Sequence, residues 1–161
     1  MRRWHQVPEV FLAYPLAAVD LCSDAIQCGR HDEKYGFIGL GQMGFHMANN
    51  LYRRSGRPLV VYDVSPAAIK RFLGSNQSGA EIHVASSPRE VAEHCTFLAT
   101  MLPESEHVKE AYLGKNGILS GVKPGTLCVD SSTIDPVESV QVIKEIAKCK
   151  AIGADGPVSG G

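Results

Sequence analysis

The chain has 161 residues, a formal net charge of −1, 44% hydrophobic residues and 20% charged residues, a composition typical of a globular domain with its own core. This charge provides no general attraction to nucleic acid or to anionic membranes, and no apolar run approaches the ~20 residues of a membrane span. The five cysteines include no Cys-x-x-Cys pair, and Cys95 and Cys128 lie in or beside predicted core elements. We therefore predict reduced and mostly buried thiols. Six histidines without ligand spacing predict no metal site.

Residues 1–34 differ in character from the rest of the chain. Two arginines precede an apolar stretch of only ten residues, 10–19, which a proline interrupts. The acidic residues Glu9, Asp20 and Asp24 around this stretch fit poorly with a secretory signal or a mitochondrial presequence, and presequences of the second kind are poor in acids. We predict a poorly ordered leader at residues 1–34, with a targeting role as the alternative, and one folded domain over residues 35–161.

The first elements of that domain are an apolar strand at residues 35–40, a glycine-rich turn and a helix at about 43–54. Gly39, Gly41 and Gly44 have the spacing Gly-x-Gly-x-x-Gly of a dinucleotide-binding turn. The first glycine allows a tight turn, the second lets a pyrophosphate approach the backbone, and the third lets the helix pack closely on the strand. The N-terminus of the helix then attracts the phosphate charge. The alternative is a glycine-rich turn without a ligand.

A second predicted strand at residues 58–62 ends at Asp63, 19 residues after Gly44. A carboxylate at this point accepts hydrogen bonds from an adenosine ribose and repels a 2′-phosphate, so it favours NAD over NADP. The alternative is that Asp63 is only a turn residue before Ser65 and Pro66.

Strands and helices continue to alternate along the rest of the chain. We predict helices at residues 66–73, 88–94, 105–113 and from 136 onward, and strands at 81–85, 96–101, 126–130 and 151–154. Ser87 with Glu90, and Asp135 with Glu138, have the spacing of capping boxes.

The last helix has the clearest amphipathic pattern in the chain. Val140, Ile143 and Ala147 share one face, which we expect to be packed, while Lys144 and Lys148 point to solvent. Because their spacing is that of a solvated helix face, we assign the two lysines no catalytic role.

This alternation predicts an α/β fold with a doubly wound, mainly parallel sheet of the Rossmann type, in the strand order 3-2-1-4-5-6. Ligands of such sheets bind beyond the carboxyl ends of the strands. Five segments meet that criterion: residues 39–44, 63, 101–103, 131–133 and 155–161. Structural alternatives are that Pro103 only ends a strand, that Ser131 and Ser132 only cap the following helix, and that residues 159–161 are a frayed terminus.

Five motifs in this order resemble the 3-hydroxyacid dehydrogenase family. They are residues 37–44 with 47–51, 61–64, 100–103, 130–136 and 155–161. The resemblance extends over residues 35–161, about four-fifths of the chain. It is strongest to the branch that oxidises 3-hydroxyisobutyrate in mitochondrial valine catabolism, so it implies a mitochondrial location, with the cytoplasm as the alternative.

The resemblance implies NAD-dependent oxidation of a small anionic substrate, 3-hydroxyisobutyrate, to methylmalonate semialdehyde. The implied cofactor-binding residues are Gly39, Leu40, Gly41, Gln42, Met43, Gly44, Tyr62, Asp63, Met101, Leu102, Pro103, His107 and Thr133. Ser159, Gly160 and Gly161 match the segment that binds the substrate carboxylate. Full-length members of the family are expected to be homo-oligomers.

Members of this family continue into a helical second domain, which carries a general acid/base lysine in a Gly-x-Gly-x-x-x-Lys motif. No lysine of this chain occurs in such a motif. We therefore expect no catalytic residue in these 161 residues and no turnover by them alone. Two alternatives stay open: another semialdehyde reductase of the superfamily, although Asp63 disfavours its NADP-preferring members, and a non-catalytic NAD-binding module.

Overall fold

The computed structural model of this protein describes residues 34–77 and 79–157. The strands are β1 (Lys34–Ile38), β2 (Leu59–Tyr62), β3 (Ile82–Val84), β4 (Cys95–Thr100), β5 (Leu127–Asp130) and β6 (Ile152–Asp155). The α-helices are α1 (Gln42–Ser55), α2 (Pro66–Gly74), α3 (Pro88–His94), α4 (Ser105–Leu113) and α5 (Pro136–Lys148), and a 3₁₀ turn covers Ile118–Ser120. Every predicted strand and helix is present, with boundaries that differ by at most two residues.

The predicted leader, apart from Lys34 in β1, lies outside the described residues, and so do Ser159, Gly160 and Gly161. The division of the chain at residues 34 and 35 therefore stays a prediction. None of the helices in the described ranges is long and apolar enough to cross a membrane.

The six strands form one parallel sheet in the order β3-β2-β1-β4-β5-β6, which confirms the predicted topology. The chain winds outward from β1 to β3 and then returns to β4 on the other side of β1. The loops that follow β1 and β4 therefore leave the sheet in opposite directions. In sheets of this kind a crevice opens at that point, beyond the carboxyl ends of the strands.

Two apolar clusters cover the two faces of the sheet. One contains Ile38 of β1 with side chains of α3, α4 and α5, and the other contains Phe37 of β1 with side chains of α1 and α2. Both faces of the central strands are thus buried, which is why these strands are almost continuously apolar. Cys95 and Cys128 are buried, as predicted, and burial raises the pKa of each thiol to about 12. Both side chains therefore remain protonated at neutral pH.

The packed face of α5 is not the one predicted. Its buried residues are Ser139, Val142 and Ile146, whereas Ala147 is exposed. The helical period is as expected, but the buried face is shifted by one residue relative to the apolar pattern. A small serine occupies the buried position nearest the helix start, and a hydrophobic pattern does not detect such a residue. Both lysines predicted on the solvent face are exposed.

The capping box predicted at α3 forms only in part. The Ser87 hydroxyl accepts the N–H of Glu90 at 3.2 Å, as a capping box requires. The Glu90 carboxylate, however, accepts the N–H of Ser86 at 2.8 Å and also its hydroxyl, instead of reaching back to the N–H of Ser87. These bonds from Ser86, together with one from His83, lower the pKa of Glu90 to about 2.

The capping box predicted at α5 does not form. Asp135 caps the helix by accepting the N–H of Val137 at 2.8 Å. Glu138, which a capping box would turn back towards residue 135, instead pairs with Lys109 on α4. The ammonium group is the stronger partner for a carboxylate. The glutamate therefore links two helices instead of closing the end of one.

Candidate functional site

The turn between β1 and α1 passes so close to other backbone that two of its glycines are required by packing. Gly39 has a φ of +94°, and a Cβ atom there would lie 2.2 Å from the carbonyl oxygen of Met101. A Cβ atom at Gly44 would lie 1.9 Å from the carbonyl oxygen of Gly39. Both glycines thus have the packing role that their spacing predicts.

The middle glycine, Gly41, has no such packing role. It has a φ of −60°, which any residue can adopt, and a Cβ atom built on it meets nothing within 4 Å. No neighbour in the described structure therefore requires glycine here. The bare backbone leaves an open surface at the start of α1, and this is the space that a pyrophosphate group needs.

The N-terminus of α1 offers the donors that such an anion requires. Its N-cap residue is Gly41, which has no side chain, and its first turn contains no acidic residue. The first hydrogen bond of the helix joins the Phe45 N–H to the Gly41 carbonyl at 3.0 Å, so the N–H groups before it have no partner within the helix. Gln42 and Met43, which carry two of these groups, are exposed. Free N–H groups and the positive end of the helix dipole together suit a phosphate.

Asp63 lies at the carboxyl end of β2 and is fixed against the glycine turn. One carboxylate oxygen accepts the N–H of Leu40 at 2.6 Å, and the other accepts the N–H of Ser65 at 2.7 Å. The bond from Ser65 is the local turn contact expected if Asp63 is a turn residue. The bond from Leu40 adds a contact with the turn after β1. Each oxygen retains a lone pair, so the half-buried carboxylate can still accept ribose hydroxyls.

The loops after β1, β2, β4 and β5 contact one another at this edge of the sheet. The N–H of Gly39 donates to the carbonyl of Tyr62 at 3.0 Å, and the N–H of Met101 donates to that of Ile38 at 3.0 Å. The N–H of Leu102 donates to the hydroxyl of Ser132 at 2.9 Å. Together with the Leu40–Asp63 bond and the close approach of Gly39 to the Met101 carbonyl, the Leu102–Ser132 bond connects four of the five segments selected from the sequence.

A buried polar cluster at the ends of β4 and β5, which the sequence reasoning missed, supports the loops that follow these two strands. One oxygen of Asp130 accepts the hydroxyl of Thr100 at 2.7 Å and the hydroxyl of Ser132 at 2.6 Å. The hydroxyl of Thr100 also bonds to that of Tyr112 at 3.1 Å. Burial raises the pKa of Asp130, although its bonds with Ser132 and Thr100 oppose this shift. The cluster could have been found from the register, because Thr100 and Asp130 are paired at the ends of neighbouring strands.

The proposal that Ser132 only caps the following helix is wrong. Its hydroxyl donates to Asp130 and accepts the N–H of Leu102, so it joins the loop after β4 to the end of β5. Asp135 performs the capping instead. β4 ends at Thr100, three residues before Pro103, and the role of Pro103 beside the cofactor stays a prediction.

Two predicted cofactor residues are less closely tied to this arrangement. His107 is exposed on α4, with its Nδ1 atom 3.9 Å from an Oε atom of Glu104, and Thr133 is exposed after β5. No hydrogen bond in the described part of the chain joins either side chain to the glycine turn. Their roles stay predictions. Residues 34–77 and 79–157 contain no group of three or more histidine, cysteine, aspartate or glutamate side chains suited to a metal ion.

Comparison with known proteins adds three observations. Residues 34–161 match the family described as the NAD binding domain of 6-phosphogluconate dehydrogenase. The chain is 51% identical over 126 residues to mitochondrial 3-hydroxyisobutyrate dehydrogenase of Bos taurus, covering 78% of this chain and 36% of that protein. It is 34% identical over 110 residues to 3-sulfolactaldehyde reductase of Escherichia coli K12, covering 68% of this chain and 35% of that protein.

The fold also matches a solved 3-hydroxyisobutyrate dehydrogenase of Mycobacterium tuberculosis, determined with L-serine. The TM-score is 0.70 at 30% sequence identity, and the match covers 80% of this chain and 41% of that one. The chain spans little more than a third of the length of the curated relatives described above.

Proposed function

Because the chain belongs, through residues 34–161, to the family of the NAD-binding domain of 6-phosphogluconate dehydrogenase, we propose that it is the cofactor-binding part of a 3-hydroxyisobutyrate dehydrogenase. The reaction is NAD-dependent oxidation of 3-hydroxyisobutyrate to methylmalonate semialdehyde. The 51% identity to the bovine enzyme supports this choice within the family.

One structural observation carries the cofactor assignment. Gly41 has an unobstructed backbone at the uncapped start of α1, and Asp63 is held beside the same turn by its 2.6 Å bond to Leu40. An open anion site adjoining a fixed carboxylate suits the pyrophosphate and adenosine ribose of one dinucleotide. A glycine turn without a ligand would need neither feature.

The chemistry is divided between the cofactor and the chain. When NAD is bound, its nicotinamide supplies the hydride acceptor. The N–H groups at the start of α1 bind the pyrophosphate, and Asp63 accepts the ribose hydroxyls. The path to the nicotinamide is lined by Met101, Leu102 and Pro103 together with Thr133. Ser132 holds the backbone of this segment through its bond to Leu102.

Substrate binding and proton transfer are assigned from the resemblance alone. Ser159, Gly160 and Gly161 bind the substrate carboxylate, and the general acid/base is a lysine in the helical domain that family members possess. A homo-oligomeric state and a mitochondrial location are proposed on the same ground, the latter supported by the name of the bovine relative.

A second candidate substrate is a sulfonated aldehyde. The 34% identity to 3-sulfolactaldehyde reductase favours it, although this identity is lower than that to the bovine enzyme. Methylmalonate semialdehyde, the oxidation product of 3-hydroxyisobutyrate, and 3-sulfolactaldehyde are both small anions that carry an aldehyde carbon, so the nucleotide-binding residues do not discriminate between them. The discriminating contacts belong to the substrate side of the crevice.

Calorimetric titration with NADH tests the cofactor assignment. We expect saturable binding by the 161-residue chain, strongly weakened in a Gly41→Val variant. Absence of binding at millimolar NADH, by a chain that unfolds cooperatively on heating, would overturn the assignment.

A chimera tests the substrate. It joins residues 1–161 to the remaining part of the bovine relative, so that residues 159–161 are this chain's contribution to the substrate side. The ratio of its kcat/KM values for methylmalonate semialdehyde and 3-sulfolactaldehyde is compared with the same ratio for the bovine relative. A ratio shifted towards the sulfonated aldehyde would favour the second candidate, and an unchanged ratio would give it no support.

A further inference from the structure

Arg71 of α2 reaches across to the phosphate-binding turn. Its Nη2 atom donates to the carbonyl oxygen of Leu40 at 2.9 Å and to that of Gly41 at 3.1 Å. Its guanidinium carbon lies 4.4 Å from the centre of the Phe45 ring, in cation–π contact. Hydrogen bonds and ring contact together fix an exposed arginine beside the turn.

This arginine and Asp63 meet at the same residue of the turn. The N–H of Leu40 donates to the Asp63 carboxylate, and the carbonyl of Leu40 accepts from Arg71. A positive and a negative side chain therefore flank the point where the adenosine ribose is proposed to lie. The carboxylate suits free ribose hydroxyls, whereas the guanidinium suits a phosphate.

The guanidinium is only partly used by the turn. It carries five N–H groups, and both of its bonds to the turn involve Nη2 alone. The Nε and Nη1 groups have no hydrogen-bond partner in the described part of the chain. They remain able to form the paired hydrogen bonds that arginine makes with phosphate oxygens.

We propose that Arg71 is a second determinant of cofactor choice, which binds the 2′-phosphate of NADP(H) and so opposes the discrimination imposed by Asp63. This inference rests on the proposed function, since it concerns the same site. The domain still prefers NAD, because the carboxylate lies at the ribose itself. The preference is smaller than Asp63 alone would produce.

The competing explanation is that Arg71 only holds the turn in shape. In that case its loss would weaken every adenine nucleotide equally, since all of them use the turn. Under our proposal its loss weakens only ligands that carry a 2′-phosphate. The two explanations therefore differ in a ratio of affinities.

The probes are 5′-AMP and 2′,5′-ADP, which differ only in the 2′-phosphate and require no substrate domain. The variant is Arg71→Gln, whose amide carries no charge and is too short to replace the bonds from Nη2, so a role of Arg71 in the shape of the turn would also weaken 5′-AMP binding. Arg53→Leu is the control, since Arg53 is an exposed arginine near the other end of α1 that donates to the carbonyl of Ser75 at 3.3 Å. Arg71→Lys retains the charge without the paired donors.

We expect Arg71→Gln to weaken 2′,5′-ADP binding about tenfold, as loss of one charge-assisted contact implies, and to change 5′-AMP binding less than about twofold. Arg71→Lys should recover part of the 2′,5′-ADP affinity, and Arg53→Leu should alter neither ligand. With whole cofactors, the preference for NAD over NADP should widen about tenfold in Arg71→Gln.

Equal weakening of both probes would overturn the proposal and assign Arg71 to the shape of the turn. An unchanged 2′,5′-ADP affinity would overturn it as well, provided that the melting temperature shows the variant to be folded. If Arg71→Gln does not fold, Arg71→Lys decides, because it too must weaken 2′,5′-ADP more than 5′-AMP. Failure of the wild-type chain to bind 5′-AMP and NADH would instead overturn the proposed function, and this proposal with it.

Discussion

Replacement of Gly41 by valine separates binding from folding more cleanly than any other change in the turn. In the free protein the new side chain has no neighbour within 4 Å, and the φ of −60° is allowed to any residue. Valine is a poorer N-cap residue than glycine, so we expect a stability loss of at most about 1 kcal/mol. The fold should therefore remain intact.

Binding should suffer much more than folding. The valine methyl groups occupy the open surface at the start of α1 and keep a pyrophosphate from the helix N–H groups. Loss of two charge-assisted hydrogen bonds at about 1.5 kcal/mol each costs about 3 kcal/mol, or about 150-fold in Kd. Calorimetric titration with NADH measures the binding loss, and thermal unfolding measures the stability.

Gly44→Val is the matched control in the same turn. Its Cβ atom would lie 1.9 Å from the carbonyl oxygen of Gly39, so the variant should lose stability even without a ligand. The reasoning would be refuted if Gly41→Val bound NADH within threefold of the wild type. It would also be refuted if Gly41→Val lowered the melting temperature as much as Gly44→Val does.

Four further predictions follow from the site and its surroundings. The wild type should prefer NAD over NADP about tenfold in paired titrations. Asp63→Asn combined with Val64→Arg should shift this preference towards NADP, because it removes a repulsive carboxylate and adds a cation. Hydrogen bonds from Ser86 hold the pKa of Glu90 at about 2, below its ordinary 4.5, so this charge stabilises the fold at neutral pH and the effect is lost as pH falls from 4.5 towards 2. Glu90→Gln should accordingly lower the melting temperature at pH 7 and lose this difference on acidification. Asp130→Ala should lower the free energy of unfolding in urea by about 2–4 kcal/mol, because two buried hydroxyl groups lose their acceptor, and Asp130→Asn by less. The 161-residue chain should bind NADH but should not measurably oxidise 3-hydroxyisobutyrate with NAD in an absorbance assay at 340 nm, since a positioned acid/base is commonly worth ~100- to 10,000-fold in rate. Turnover that is lost in Gly41→Val would contradict this expectation.

The order of the sheet could be predicted because it depends on local signals that agree with one another. Alternating strand and helix patterns predict parallel strands, and the glycine turn marks the first of them. The resemblance to 3-hydroxyacid dehydrogenases is confirmed by the comparisons, since it rests on motifs spread over four-fifths of the chain.

Two of the features that could not be predicted depend on a partner distant in sequence. Glu138 has the correct spacing for a capping box, yet Lys109 of α4 binds it instead. Ser132 is of a residue type common at helix caps, yet its hydroxyl donates to Asp130 and accepts the N–H of Leu102. A pattern read along one segment contains no information on such competitors. Tertiary contacts therefore decide among bonds that local sequence leaves equally possible.

The bond between the Leu40 N–H and Asp63 has a consequence for hydrogen exchange. The amides of Gly39 and Leu40 both donate within the domain, to Tyr62 and to Asp63, whereas those of Gln42 and Met43 precede the first bond of α1. Adjacent amides of one short turn should therefore exchange with deuterium at very different rates in the free protein. The first half of the turn is already ordered before any nucleotide arrives. The entropy lost on binding is then confined to the ligand and to the few N–H groups that face it.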